Sequence, residues 1–71
     1  GDKEEGKIAK LARIVKEYLA SFDGEKISTQ KLWENIGQSD VHPSTRRAAV
    51  YRFLSQCSAW DLDSRSLVRT P

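Results

Sequence analysis

The sequence predicts a small, mainly α-helical domain with three helices and a short C-terminal β-hairpin. Three observations support this fold class. Apolar residues recur at helical spacing over residues 7–22 and again over 44–57. Glycine and proline separate these stretches from the segments around them. After residue 57, apolar and polar residues alternate, which is typical of strands.

Size and composition indicate one small intracellular domain of the nucleus, cytoplasm or nucleoid. The chain has 71 residues, with 12 Lys and Arg, 10 Asp and Glu and a net charge of +2. A single cysteine excludes an internal disulfide and suits a reducing compartment. No apolar run approaches the length of a membrane span, so no membrane partner is expected. Because the sequence starts with Gly1 and contains no Met, we expect a domain excised from a larger protein.

The first half of the chain predicts two helices, the first of which is expected to serve as scaffold. Residues 1–6 are expected to be a flexible N-terminus, and residues 7–70 the single folded domain. The helix over 7–22 mixes charges of both signs on its polar face, which favours plain solvation. Ile27 is expected in a very short extended segment, followed by a second helix that Ser28 caps and Gly37 ends.

The third helix, over residues 44–57, has two different faces. Pro43 disfavours a helical His42, so Ser44 is its expected N-cap. One face is apolar, and the opposite face carries Arg47, Ala48, Tyr51, Arg52 and Ser55. The segment 41–60 contains no Asp or Glu, and its three arginines give it a charge of +3. A basic face of this kind is an expected partner for nucleic acid.

Residues 58–70 are predicted to form a hairpin, with a fourth helix or a tail as alternatives. Residues 63–66 have the composition of a turn, and they would place Arg65 at its tip. Trp60 is expected to cover the core rather than to stack on bases. The predicted core consists of Ile8, Leu11, Val15, Leu19, Phe22, Ile27, Leu32, Ile36, Val50, Phe53, Leu54 and Cys57.

This order of elements resembles the winged helix-turn-helix superfamily, over nearly the whole chain but at the level of pattern only. The resemblance depends on Ile27 before a short helix, on the capped third helix, and on the turn at 63–66. It implies a helix-turn-helix core whose third helix enters the DNA major groove while the hairpin lies on the backbone. The link from Gly37 to Ser44 exceeds the 3–4-residue turn of a simple helix-turn-helix, which favours the winged form. A helical bundle of another topology stays open.

The first functional hypothesis is a double-stranded DNA-binding module of transcription or replication. Arg47 is the best candidate for a bidentate guanine contact, and Arg46 is expected to turn towards phosphate. Free N–H groups at the start of the third helix would favour anions near His42. A second copy or another domain of the parent protein is expected to strengthen binding. The predicted DNA contacts are His42, Ser44, Thr45, Arg46, Arg47, Tyr51, Arg52, Ser55 and Arg65.

The second hypothesis is a protein-interaction module of the same fold, with Trp33, Tyr51 and Trp60 as anchors. Catalysis is not expected, because the sequence has no nucleophile elbow, no Gly-rich phosphate loop and no cluster of metal ligands. No cofactor, metal or small-molecule substrate is expected. Single-stranded nucleic acid is less favoured, since most aromatic residues fall on the predicted core side.

Overall fold

The computed structural model describes the backbone of residues 2–71 and the side chains of residues 5–71. The described residues form three helices and three strands. They are α1 (Asp2–Ala20), β1 (Lys26–Ser28), α2 (Thr29–Asn35), α3 (Pro43–Gln56), β2 (Trp60–Asp63) and β3 (Ser66–Arg69). The mainly α class is therefore confirmed, and residues 58–70 form the hairpin rather than a fourth helix or a tail.

The strands form one antiparallel sheet in the order β1-β3-β2. Ile27 of β1 pairs with Leu67 of β3, and Leu62 of β2 pairs with the same residue from the other side. Ile27 and Leu67 are both buried. A two-stranded hairpin is marginal in water, so this third strand and the core beneath it stabilise the hairpin. The brief extended segment at Ile27 is confirmed, and it joins the hairpin to the start of α2.

The core lies between α1, α3 and the sheet, where apolar residues of every element meet. Most of the predicted core is buried, whereas Ile8, Phe22, Ile36, Leu54 and Cys57 are only half-buried. Trp60 is buried, as expected of a residue that covers the core. The structure adds six buried apolar residues that the predicted core lacks: Ala12, Trp33, Val41, Ala49, Trp60 and Leu67.

The first helix begins earlier and ends earlier than the sequence predicts. It starts at Asp2 and stops at Ala20, so residues 2–6 belong to the helix instead of preceding it. Gly1, the first residue of the predicted flexible segment, lies outside the described residues. Acidic side chains are favourable in the first turn of a helix, and the sequence has Asp2, Glu4 and Glu5 there.

The second helix has the caps that the sequence predicts. Ser28 Oγ accepts a hydrogen bond from Lys31 N at 3.1 Å. At the other end Gly37 has φ +73°, a conformation that glycine adopts without steric cost. Gly37 N donates to Glu34 O and Gln38 N donates to Trp33 O, which is the hydrogen-bond pattern of a Schellman motif.

The third helix begins one residue earlier than predicted, and its N-cap is His42 rather than Ser44. His42 Nδ1 accepts a hydrogen bond from Ser44 N at 3.1 Å. The prediction overlooked that an imidazole nitrogen can replace a serine hydroxyl as the capping acceptor. Pro43 then occupies the first helical position, where its missing N–H costs nothing.

Candidate nucleic-acid interface

An open groove of about 720 Å³ lies between α2, α3 and the turn that joins β2 to β3. Trp33 and Val50, both buried, contribute to its lining. Nine polar or amphipathic residues also line it: Thr29, Gln30, Glu34, Ser39, Arg46, Arg47, Tyr51, Ser64 and Arg65. The groove therefore combines an apolar base with several hydrogen-bonding groups.

Helical spacing decides which residues of α3 reach this groove. Pro43, Arg46 and Val50 follow one another at intervals of three and four, so they share the side that faces α2. Arg47 and Tyr51 are four apart and occupy the neighbouring strip, which is exposed. Tyr51 is 56% exposed, and among the described residues it is the one large hydrophobic residue that is exposed.

The hairpin turn is held against α2 instead of extending freely into solvent. Thr29 N donates to Arg65 O at 2.8 Å, and Ser28 pairs with Ser66 in the sheet. Ser64, before Arg65, has φ +61°, which lies in the left-handed region. The backbone of Arg65 is therefore fixed at the edge of the groove, and the prediction that this residue lies at the tip of a hairpin turn is confirmed.

Arg46 carries a buried guanidinium nitrogen at the groove. The side chain is half-buried, and its Nε is buried without a hydrogen-bond partner among the described residues. Most buried polar groups in folded proteins have such a partner, so each exception needs an explanation. This N–H is a donor for which the rest of the described chain supplies no acceptor.

The charged side chains give the groove an excess of cations. Arg46, Arg47 and Arg65 contribute three positive charges against the single carboxylate of Glu34. Glu34 Oε2 accepts a hydrogen bond from Gln30 Nε2 at 3.3 Å, one helical turn away. The positive face predicted for α3 is therefore extended by Arg65 and bordered on one side by an acid.

Arg52, a predicted DNA contact, is paired with an acidic residue in the structure. Its guanidinium forms an ion pair with Glu5 of α1, and the two side chains are 36% and 64% exposed. Ser55 is exposed, and its hydroxyl donates to Arg52 O at 2.7 Å. On this side of α3 the predicted basic strip thus meets an acidic residue of α1.

Thr45 is a correction to the predicted contacts. Its side chain is 8% exposed and lies on the buried side of α3. Ala49 and Phe53 follow it at intervals of four and are buried as well, so these three residues share one face. The same spacing in the sequence was sufficient to assign Thr45 to the core.

The prediction that the start of α3 has free backbone N–H groups is also wrong. Ser44 N donates to His42 Nδ1, while Thr45 N and Arg46 N both donate to His42 O. Pro43 has no N–H. The first four residues of the helix therefore leave no amide hydrogen free for an anion. His42 and Ser44 remain exposed, and their shared contact, 2.8 Å between Nδ1 and Oγ, lies within the cap.

Of the three aromatic anchors considered for a protein partner, the structure leaves one accessible. Trp33 and Trp60 are 2% and 5% exposed, whereas Tyr51 is on the surface. Gln30 and Glu34 were missed, because their place in the groove depends on how α2 packs beside α3. No local signal in the sequence carries that information.

Among the described residues, no helix combines the length and apolar character that a bilayer crossing requires. Within the same part of the chain, His, Cys, Asp and Glu nowhere form a group of three or more suited to holding a metal ion. Comparison of the chain with protein-family models, with curated proteins and with solved structures finds no match.

Proposed function

We propose that this domain binds double-stranded DNA as a winged-helix module, with α3 in the major groove and the hairpin turn beside the backbone. The observation that carries the proposal is the convergence of Arg46, Arg47 and Arg65 on one open groove beside the exposed strip of α3. The element order and the strand order β1-β3-β2 support the winged form, since the hairpin follows the reader helix and pairs with a strand before it.

The exposed strip of α3 supplies the contacts that would recognise bases. Arg47 is exposed and has no acid one turn away on its own helix, since 41–60 contains neither Asp nor Glu. Its planar fork matches the O6 and N7 acceptors of guanine in the major groove. Tyr51, one helical turn after Arg47, would present its ring and its hydroxyl to the major groove of the DNA.

The charge of the site sets the expected strength and salt dependence of binding. Each phosphate neutralised lowers the slope of log K against log salt by about 0.9. With Arg46 and Arg65 as the arginines beside the DNA backbone, we expect a slope of about −1 to −2. This corresponds to weak or moderate affinity for one domain, which a second copy or a linked domain would raise.

Titration of the domain with duplex DNA at two salt concentrations tests the proposal. Arg47→Ala should weaken binding by about 1–3 kcal/mol, the value of one bidentate base contact. Lys16→Ala is the matched control, because Lys16 is exposed on α1 and does not line the groove. Equal losses in both variants, or no binding at low salt, would refute the proposal.

A protein ligand is the second candidate, and the composition of the groove favours it. Tyr51 and the arginines lie beside Pro43 and Leu62, and aromatic residues and Arg dominate the energetics of protein interfaces. An acidic segment of a partner would fit the excess positive charge. If duplex DNA leaves the amide resonances of α3 unperturbed while such a peptide shifts them, this candidate replaces the first.

A further inference from the structure

We infer that the groove contains a specific site for one phosphate group, formed by Arg46 and Arg65, and that the DNA backbone supplies this phosphate. The site itself follows from the geometry of the groove. The source of the phosphate rests on the proposed function. The step beyond that function is the pairing of Arg46 with Arg65 at one phosphate, which fixes the position of the helix and leaves Arg47 to recognise bases.

The unpartnered Nε of Arg46 is the first observation. A buried donor without an acceptor destabilises the state that contains it, so a ligand that provides an acceptor gains that free energy on binding. The guanidinium fork matches phosphate oxygens in a bidentate arrangement, whereas an ammonium does not. A phosphate entering the groove, with a rotation of the Arg46 side chain towards it, would satisfy this donor.

The fixed position of Arg65 is the second observation. The hydrogen bond from Thr29 N to Arg65 O holds the turn against α2, and Arg46 of α3 lines the same groove. The backbone positions that carry two guanidinium groups are therefore fixed on separate elements around one groove. A fixed backbone reduces the conformational entropy lost on binding, which favours a defined site over diffuse attraction.

The acid in the groove limits the site to one phosphate. Glu34 lines the groove and is held by Gln30, so its carboxylate repels anions from the α2 wall. A run of phosphates along the whole groove would have to pass this carboxylate. A single phosphate between Arg46 and Arg65 avoids it, and we therefore place the DNA strand across the groove instead of along it.

The consequence for recognition follows from the helix itself. Adjacent residues of an α-helix point about 100° apart, so Arg46 and Arg47 leave the helix in different directions, although both line the groove. When Arg46 binds the phosphate backbone of the DNA, Arg47 is directed towards the base edges. Phosphate contacts of this kind set register and orientation without carrying sequence information.

Two measurements test the site. The first follows the Nε–Hε resonances of the arginine side chains by NMR during titration with inorganic phosphate, with chloride at equal ionic strength as reference, and then with a duplex. The second measures duplex affinity against salt for Arg46→Gln, Arg46→Lys and Arg65→Gln. Lys16→Gln is the control, because it removes an exposed charge of α1 outside the groove.

The inference predicts a saturable shift of the Arg46 resonance with phosphate and again with the duplex. Arg46→Gln and Arg65→Gln should each reduce the salt slope by up to about 1, without adding in the double variant because the two residues share one phosphate, and each should weaken binding by the same factor for unrelated duplex sequences. Arg46→Lys should retain most of the slope and lose affinity, because it keeps the charge without the fork. If Arg46→Gln impairs folding, Arg65→Gln at the exposed turn provides the same test.

The results that overturn the inference are distinct from those that overturn the proposed function. A duplex that shifts α3 while Arg46 Nε–Hε and the salt slope of Arg46→Gln stay unchanged refutes the phosphate site and leaves DNA binding intact. A change of sequence preference in Arg46→Gln assigns Arg46 to bases, which also refutes the site. A response to phosphate or to an acidic peptide, without any response to duplex, refutes DNA as the source and the proposed function with it.

Discussion

The guanidinium of Arg69 lies over the indole ring of Trp60, with Cζ 4.5 Å from the ring centroid. The same group donates from Nη2 to Phe22 O at 2.6 Å and to Gly24 O at 3.2 Å. Arg69 belongs to β3, while Phe22 and Gly24 lie in the loop after α1. One side chain thus connects the hairpin to the end of the first helix, 47 residues earlier in the chain for Phe22.

Replacement of Arg69 by alanine should destabilise the domain by about 2–4 kcal/mol. Hydrogen bonds from a charged donor contribute about 1.5–3 kcal/mol, and a cation–π contact adds about 0.5–1 kcal/mol even at exposed sites. The free energy of unfolding, measured with urea, checks this value. Arg13→Ala, at an exposed position of α1, should change it by no more than about 0.5 kcal/mol. Equal effects of the two changes would show that the Arg69 contacts contribute little.

Removal of the His42 cap should destabilise α3 by about 1 kcal/mol, the usual cost of losing an N-cap side chain. His42→Ala loses the acceptor for Ser44 N, whereas His42→Asp keeps an acceptor and should retain most of the stability. Thermal unfolding followed by circular dichroism measures both variants. Ser44→Ala should be the milder change. A larger loss in Ser44→Ala than in His42→Ala would restore Ser44 as the cap.

Ser64→Gly should stabilise the hairpin by about 0.5–1 kcal/mol. A left-handed conformation costs a residue other than glycine about 1–2 kcal/mol, and the greater freedom of glycine in the unfolded chain offsets part of the gain. Ser39→Gly is the matched control, because Ser39 has no positive φ in the structure. That variant should be neutral or destabilised in the same urea experiment. Stabilisation of both variants would contradict the conformational explanation.

The pair between Arg52 and Glu5 should reduce the affinity of the domain for DNA. Glu5→Gln releases Arg52 on the side of α3 that faces away from the groove, and it removes a negative charge. Because an exposed ion pair contributes about 0.2–1 kcal/mol, we expect at most a fivefold gain in affinity, roughly, at low salt. The free energy of unfolding should change little.

Glu17→Gln is the control for that experiment, since Glu17 is an exposed acid of the same helix. Measured by anisotropy with a labelled duplex, its effect should be smaller than that of Glu5→Gln. If both changes increase affinity equally, the gain reflects the net charge of the domain and not the release of Arg52.

Features that depend on residues close together in the chain could be predicted from the sequence, whereas contacts between distant segments could not. Ser28, Gly37 and the turn around Ser64 depend on residues within four positions, so their signals are readable in the sequence. Thr45 is predicted on the DNA-contacting face but lies on the buried face, as its spacing of eight residues from Phe53 indicates. The groove could not be predicted, because it forms only when the hairpin turn is attached to α2, and no periodicity specifies that contact.

The same limit applies to the charges of α3. The sequence predicts correctly that Arg47 and Tyr51 are exposed together. It gives no indication that Arg52 meets Glu5, since those residues are 47 positions apart. Tertiary packing therefore decides which of the predicted cations are available to a partner.

The free edge of β2 is protected by Asp61, whose Oδ1 accepts a hydrogen bond from Leu62 N at 2.8 Å. β2 pairs only with β3, and an unpaired strand edge is a template for association with another chain. Asp61→Val should therefore promote self-association, by roughly 2- to 10-fold for one additional net hydrogen bond of about 0.5–1.5 kcal/mol. Asp63→Val is the control, because it places the same side chain on the same exposed face and leaves the Leu62 cap in place. Sedimentation velocity over a range of concentrations distinguishes the two variants. Equal association in both would assign the effect to surface hydrophobicity instead of to an opened edge.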